Sequence, residues 1–103
     1  MRVPFPHVER PVVVSRPAIV LTPKPIGPDG MLIWTAMITN AAREDWPDDV
    51  PIPNAEALGL LIPSKVRTAK LFTAEAATST LIGHLEAEVW ARVRDTVRRH
   101  LGF

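Results

Sequence analysis

Two apolar runs of the chain each carry one polar side chain near an expected strand end. The run Ser15–Leu21 holds Arg16 at its mouth, and the run Met37–Asn40 holds Thr39. A strand end is a rigid place from which to present a guanidinium or a hydroxyl to a substrate. Since the sequence has no cysteine and shows no acidic pair or metal-ligand cluster, these two groups suit a phosphate whose negative charge grows during a reaction.

The composition indicates one compact domain. The chain has 103 residues, 47% of them hydrophobic, and a formal net charge of +1. That length allows one core and no more, and the near-neutral charge gives no global field that would indicate nucleic acid. No apolar stretch is long enough to span a bilayer, and the first residues lack the apolar segment of a signal peptide. We therefore expect a cytoplasmic protein.

Proline separates a strand-rich first half from the rest, since ten of the eleven prolines lie at or before Pro53. Proline disfavours helix interiors and cannot donate to a sheet ladder, so this half should consist of short strands joined by loops. We expect a turn at Pro28–Gly30 and an acidic surface loop at Arg43–Asp49. The predicted strands, in order, are Pro17–Leu21, Met31–Thr39, Val50–Ile52 (a short edge strand), Gly59–Ile62 and Lys65–Phe72.

The last segment has the pattern of an amphipathic helix. Apolar residues recur every four positions over Leu85–Leu101, which lacks proline and glycine, and Gly102 is a natural stop. Glu88 with Arg92 and Asp95 with Arg99 are spaced for ion pairs one turn apart, so we interpret the arginine cluster as a solvated face. The order of elements predicts a mainly β fold with a C-terminal α-helix, either a bent antiparallel sheet or an open barrel.

Six segments in chain order carry a resemblance to a known family: Val3–Pro6, Arg16–Leu21, Ala36–Asn40, Ser64–Lys70, Ile82–Leu85 and Leu101–Gly102. Together they resemble the MazF/PemK toxins of type II toxin–antitoxin pairs. The resemblance implies one domain over residues 1–103 with a small SH3-like barrel of the MazF/PemK/CcdB type. Met1 falls in the middle of the family's first strand, so either the protein starts upstream of this residue or it builds the barrel with a shortened first strand.

The resemblance also implies a reaction and the residues that perform it. Arg16 matches the family's main catalytic residue, and Thr39 matches its partner. Such toxins cut single-stranded RNA without a metal or other cofactor, and the ribose 2′-OH of the substrate is the nucleophile. The guanidinium would stabilise the charge that develops on the phosphate, and the threonine hydroxyl would donate one further hydrogen bond.

Further RNA contacts follow from the same resemblance. They are Lys65, Arg67 and Asn40, together with His7 and Arg10 of the loop that in the family lies beside the RNA channel. From the residues alone, Lys65 and Arg67 could be solvent-facing members of an alternating strand, and for Lys65 this alternative is as well supported as an RNA contact.

The implied partners are single-stranded RNA, a second copy in a homodimer, and a cognate antitoxin whose acidic, flexible C-terminal segment lies over the RNA groove. Two other function classes remain open. One is a gyrase poison of the CcdB type, which uses its C-terminal residues, and Leu101–Phe103 places an aromatic residue there. The other is a catalytically inactive SH3-like binding module. Arg16 and Thr39 favour the ribonuclease.

Overall fold

The computed structural model describes residues 2–6 and 13–102. Their elements, in chain order, are β1 (Arg2–Pro6), β2 (Val13–Val20), β3 (Leu32–Asn40), β4 (Asp49–Ile52), β5 (Ser64–Glu75) and α1 (Ala87–Leu101). The strands form one antiparallel five-stranded sheet in the order β1-β2-β3-β5-β4. Both edge strands contain proline: Pro4 and Pro6 in β1, and Pro51 in β4.

Four of the five predicted strands are confirmed, and the predicted mainly β fold with a C-terminal helix is confirmed with them. The predicted segments Pro17–Leu21, Met31–Thr39, Val50–Ile52 and Lys65–Phe72 fall on β2, β3, β4 and β5, with differences of a few residues at the ends. The third of these is an edge strand, as the short proline-flanked sequence indicated.

The predicted strand Gly59–Ile62 is wrong. Gly59 has φ 76° and ends a 3-10 turn, and its N–H donates to the carbonyl oxygen of Glu56. Leu60 enters the core, whereas the next residue, Leu61, is 94% exposed. One buried leucine inside a turn therefore produced the apolar pattern that resembled a strand.

Strand β5 reverses its side-chain alternation midway. Ala36 of β3 pairs with Leu71, but the next residue, Met37, pairs with Arg67, so the segment Thr68–Lys70 forms an irregularity. The irregularity inserts an odd number of residues into β5. Side chains that would share a face in a regular strand therefore lie on opposite faces before and after the irregularity. The first half of β5 thereby turns its charged residues to the side that Met37 faces.

The core lies between the other face of the sheet and α1. Its sheet residues alternate with those charged positions, and its helix residues follow the predicted apolar stripe. The buried cluster comprises Ile19, Ala36, Ile38, Val50, Ile52, Ala55, Leu60, Val66, Val89, Val93 and Val97. No helix of the described chain has the length and apolar composition needed to cross a membrane.

Helix α1 ends as predicted, but its ion pairs differ from the prediction. Gly102 has φ 84°, and its N–H donates to the carbonyl oxygens of Arg98 and Arg99. Neither predicted pair along the helix lies within ion-pair distance in the described residues. Arg99 Nη2 lies 3.7 Å from Asp48 Oδ1 instead. The helix end is thus tied to the loop before β4, which spacing along the helix could not show.

Candidate functional site

The sheet face opposite the core collects most of the predicted site residues. Thr39 of β3 pairs with Lys65 of β5, and Met37 pairs with Arg67. The intervening residues Ile38 and Val66 pair with each other and belong to the core. Since alternate residues of a strand face opposite sides, Thr39, Lys65 and Arg67 share the face away from the core.

Arg16 lies on the same face of the sheet as Thr39. Ala18 of β2 pairs with Met37 of β3 at the end of the paired segment, and Arg16 and Thr39 each lie two residues beyond it, so strand alternation puts both on the face of Met37. Arg16 is exposed, whereas Thr39 is 7% exposed. Arg16, Thr39 and Lys65 thus form a cross-strand row on β2, β3 and β5. Neighbouring strands lie about 4.8 Å apart, so long side chains of the row can converge on one phosphate.

The structure buries the two predicted cations of β5. Lys65 is 4% exposed and Arg67 is 7% exposed, and both lie beneath the loop Arg43–Asp49, which we call the acidic segment. Arg67 donates from Nε and Nη2 to the two carboxylate oxygens of Asp49, at 3.3 and 3.0 Å. Lys65 Nζ lies 2.7 Å from Asp45 Oδ1 and 3.5 Å from Asp49 Oδ2. Neither cation presents a bare charge to solvent in this conformation.

The backbone and the tryptophan of the acidic segment complete this cover. Lys65 Nζ donates to the carbonyl oxygen of Arg43 at 2.7 Å, and Arg67 Nη2 donates to that of Glu44 at 2.6 Å. The Arg67 guanidinium stacks on the ring of Trp46, and its Cζ lies 4.2 Å from the ring centroid. The predicted acidic surface loop is therefore largely exposed, as expected. Carbonyl and carboxylate oxygens on its inner side accept hydrogen bonds from the buried Lys65 and Arg67.

Asp49 is the buried centre of this charge cluster, and its side chain is 6% exposed. Burial alone would raise its pKa, but hydrogen bonds from Arg67 and from the Trp46 N–H, with the charges of Arg67 and Lys65, lower the pKa below the ordinary value of 3.8. Asp49 therefore stays ionised and compensates the buried cations.

Sequence reasoning missed Asp49 because the residue ends an acidic run that has the composition of an exposed loop. A usable signal was present in the alternation of the next strand. Asp49 precedes the core residue Val50, just as Arg67 follows the core residue Val66, so both must face away from the core.

A second set of contacts fixes the acidic segment to the end of α1. Thr68 Oγ1 donates to the carbonyl oxygen of Asp48 at 2.8 Å and lies 3.1 Å from His100 Nε2. Asp48 itself has φ 68°, in the left-handed region, and its carboxylate faces Arg99. The segment is thus anchored on both β5 and the helix.

The remaining predicted contacts fall outside this cluster. Asn40 is half-buried, and its Oδ1 accepts a hydrogen bond from the Ala42 N–H at 2.9 Å, so its amide shapes the turn after β3. His7 and Arg10 lie outside the described residues. Within residues 2–6 and 13–102, no group of three or more metal-ligating side chains is placed to hold a metal ion.

An apolar groove of about 560 Å³ lies on another part of the surface, between β3, β5 and α1. Its lining includes Trp34, which is 54% exposed, together with Leu71 and Leu101. Trp34 lies two residues before the core residue Ala36 and faces the same side of the sheet, but it is not part of the buried cluster, and its ring lines the groove.

These features define a small, mainly antiparallel β-sheet fold with a C-terminal helix and a row of basic side chains on the sheet face opposite the core. The chain belongs to the family described as PemK-like, MazF-like toxin of type II toxin-antitoxin system, whose model matches residues 2–101. Its structure is similar to that of the Mycobacterium tuberculosis toxin MazF-mt6, with a TM-score of 0.66, 21% sequence identity and coverage of 98% of this chain and 96% of that one. At that identity the likeness shows the fold alone. A comparison with curated proteins finds no match.

Membership confirms the resemblance seen in the sequence and gives the coarse function. The protein is a toxin of a type II toxin–antitoxin pair, and such a toxin has a cognate antitoxin. MazF-like toxins are generally endoribonucleases.

Proposed function

We propose that this toxin is a metal-independent endoribonuclease that cleaves single-stranded mRNA at a short specific sequence and thereby inhibits translation and growth. The observation that supports this best is the cross-strand row, in which the exposed Arg16 and the buried Lys65 lie on the strands to either side of Thr39, on the sheet face opposite the core. Neither a gyrase poison nor a passive binding module has an evident use for that row.

The chemistry needs little beyond what the row supplies. The 2′-OH oxygen of RNA bonds to the adjacent phosphorus, and the bond from phosphorus to O5′ breaks. One fragment ends in a 2′,3′-cyclic phosphate and the other in a 5′-OH. The proton lost from the 2′-OH balances the proton gained by O5′, so no added reactant is required.

The residues of the row act on the charge of the transition state. Arg16 offers a planar fork of N–H donors that matches the oxygens of a phosphate. Thr39 contributes a hydroxyl donor from the neighbouring strand, fixed by a mostly buried position. Their rigid placement aligns the phosphate with the 2′-OH, which is the main requirement when the substrate carries its own nucleophile.

The test is incubation of the purified toxin with total RNA in the presence of EDTA. We expect discrete fragments with 5′-OH ends and 2′,3′-cyclic phosphate ends, because every catalytic group comes from the protein or the RNA. Mapping the 5′ ends then gives the recognition sequence. An absolute requirement for Mg²⁺ would contradict the proposal, and inhibition of DNA supercoiling with RNA left intact would select the gyrase poison.

We also propose a homodimer, in which the RNA groove runs along both subunits. The groove between β3, β5 and α1 supports this, since it leaves large apolar side chains such as Trp34 and Leu101 in water. Light scattering at micromolar concentration should give twice the 11.4 kDa mass of one chain. A stable monomer at that concentration would contradict the dimer.

For the antitoxin we propose an acidic, flexible C-terminal segment that competes with RNA for the same face. Lys65 and Arg67 already bind carboxylates of the chain itself, at 2.7 and 3.0 Å, so the face is suited to a carboxylate-rich ligand. A disordered segment can order on such a surface and still bind tightly if it covers enough area.

A further inference from the structure

We propose that the acidic segment competes with RNA for Lys65. The carboxylate of Asp45 occupies the Lys65 ammonium in the free protein, and an RNA phosphate replaces that carboxylate when RNA binds. This inference rests on the proposed nuclease function and concerns the regulation of the same site. It assigns different roles to Asp45 and Asp49, two aspartates of the same acidic segment.

The two carboxylates differ sharply in burial. The side chain of Asp45 is 88% exposed, and its carboxylate contacts Lys65 Nζ at 2.7 Å. The side chain of Asp49 is 6% exposed and is held by Arg67, Lys65 and the Trp46 N–H. An ion pair with one partner in water contributes little to stability, whereas a buried pair is costly to break. Asp45 can therefore leave while Asp49 stays in place.

This exchange would make the Lys65 ammonium available to the phosphate that is cleaved. Lys65 is paired with Thr39 in the register of β3 and β5, so it belongs to the cross-strand row that also contains Arg16. Its Nζ keeps a second ligand, the carbonyl oxygen of Arg43 at 2.7 Å, when Asp45 departs. A phosphate oxygen can then accept the hydrogen bond that Asp45 Oδ1 accepted. The Lys65 ammonium therefore exchanges one hydrogen-bond partner and keeps the other.

Arg67 takes a different role in this arrangement. Its guanidinium is held by both oxygens of Asp49 and is covered by the ring of Trp46. It positions the acidic segment and does not bind RNA directly. Among the two buried cations, only Lys65 has a ligand that water can readily replace.

The first arm of the test measures binding without cleavage. The probe is a short random-sequence 2′-O-methyl oligonucleotide pool, which lacks the attacking 2′-OH. Asp45→Ala should bind it roughly three- to tenfold more tightly than wild type, because one competing carboxylate is lost. The matched control is Asp95→Ala, which removes an aspartate that is 62% exposed and paired with Arg94 on α1. The control should change affinity less than about twofold.

The second arm measures whether Lys65 is uncovered. The sequence contains three lysines, Lys24, Lys65 and Lys70, and the first and last are exposed. Acetylation by an amine-reactive ester, quantified by mass spectrometry, should label Lys65 slowly in the wild-type protein. Asp45→Ala should raise the labelling of Lys65 severalfold and leave the other two unchanged. Addition of the oligonucleotide pool should protect Lys65 again.

Each result decides the proposal. Unchanged labelling of Lys65 in Asp45→Ala would overturn it, and so would binding no tighter than that of the Asp95→Ala control. If either of these results is found and the wild-type protein still cleaves RNA, the proposed competition by Asp45 is wrong and the proposed nuclease function is retained. If Asp45→Ala gains binding and labelling while no variant cleaves RNA, the competitor is supported and the nuclease function fails.

Discussion

Replacement of Arg16 by alanine should reduce RNA cleavage by about a thousandfold or more and relieve toxicity. Arg16 is the guanidinium of the cross-strand row, and its loss leaves the growing charge on the phosphate without its principal partner. Thr39→Ala should reduce cleavage less, since a neutral hydrogen-bond donor is lost rather than a charge. The measurement is the initial rate on an RNA that contains the mapped cleavage sequence.

The fold should survive the Arg16 substitution because the side chain is exposed and contributes little to packing. The matched control is Arg92→Ala, which removes an exposed arginine from the solvated face of α1. Its cleavage rate should equal that of wild type, and both variants should keep the wild-type circular dichroism spectrum. Wild-type turnover by Arg16→Ala would exclude the assigned reaction centre.

Replacement of Asp49 by alanine should lower the free energy of unfolding by about 3–5 kcal/mol. The substitution leaves Lys65 and Arg67 buried without their shared carboxylate, and a buried charge without compensation is among the costliest changes in a small domain. Asp45→Ala should cost less than about 1 kcal/mol, because that pair is exposed on one side. Urea unfolding of both variants gives the comparison, and equal stabilities would refute the buried role of Asp49.

The same carboxyl group should make the wild-type protein sensitive to acid. Its pKa is lower in the folded state than the ordinary value of 3.8, so its stabilising effect is full above that value and is lost as the pH falls through the folded pKa. In Asp49→Ala, the curve of stability against pH should be flatter in that acidic range. A curve parallel to that of wild type would assign the acid sensitivity to other groups.

Much of the fold could be predicted from the sequence because local patterns and tertiary packing agree there. The four-residue apolar repeat of α1 and the stop at Gly102 match the observed helix, and the proline-flanked Val50–Ile52 is an edge strand. The irregularity at Thr68–Lys70 could not be predicted, since no glycine or proline indicates it. It is set by pairing with β3, which is a contact between distant parts of the chain.

The candidate site divides in the same way. Arg16 and Thr39 were recognisable as a pair through short motifs, and strand alternation puts both on the face of Met37, two residues beyond the paired segment of β2 and β3. The pairing of Lys65 and Arg67 with the acidic segment depends on how a loop folds back over the sheet. The composition indicates that the loop is negatively charged. The partner of each carboxylate can be identified only from the three-dimensional structure.

The prolines at both sheet edges have a consequence for the behaviour of the protein at high concentration. Pro4 and Pro6 lie in the edge strand β1, and Pro51 lies inside the four-residue β4. Proline offers no N–H, so neither edge presents a continuous row of donors to a strand from another molecule. Growth of fibrils by stacking of sheets edge to edge is therefore disfavoured. Association with another molecule is therefore favoured through side chains on the sheet faces, where single substitutions can change its strength.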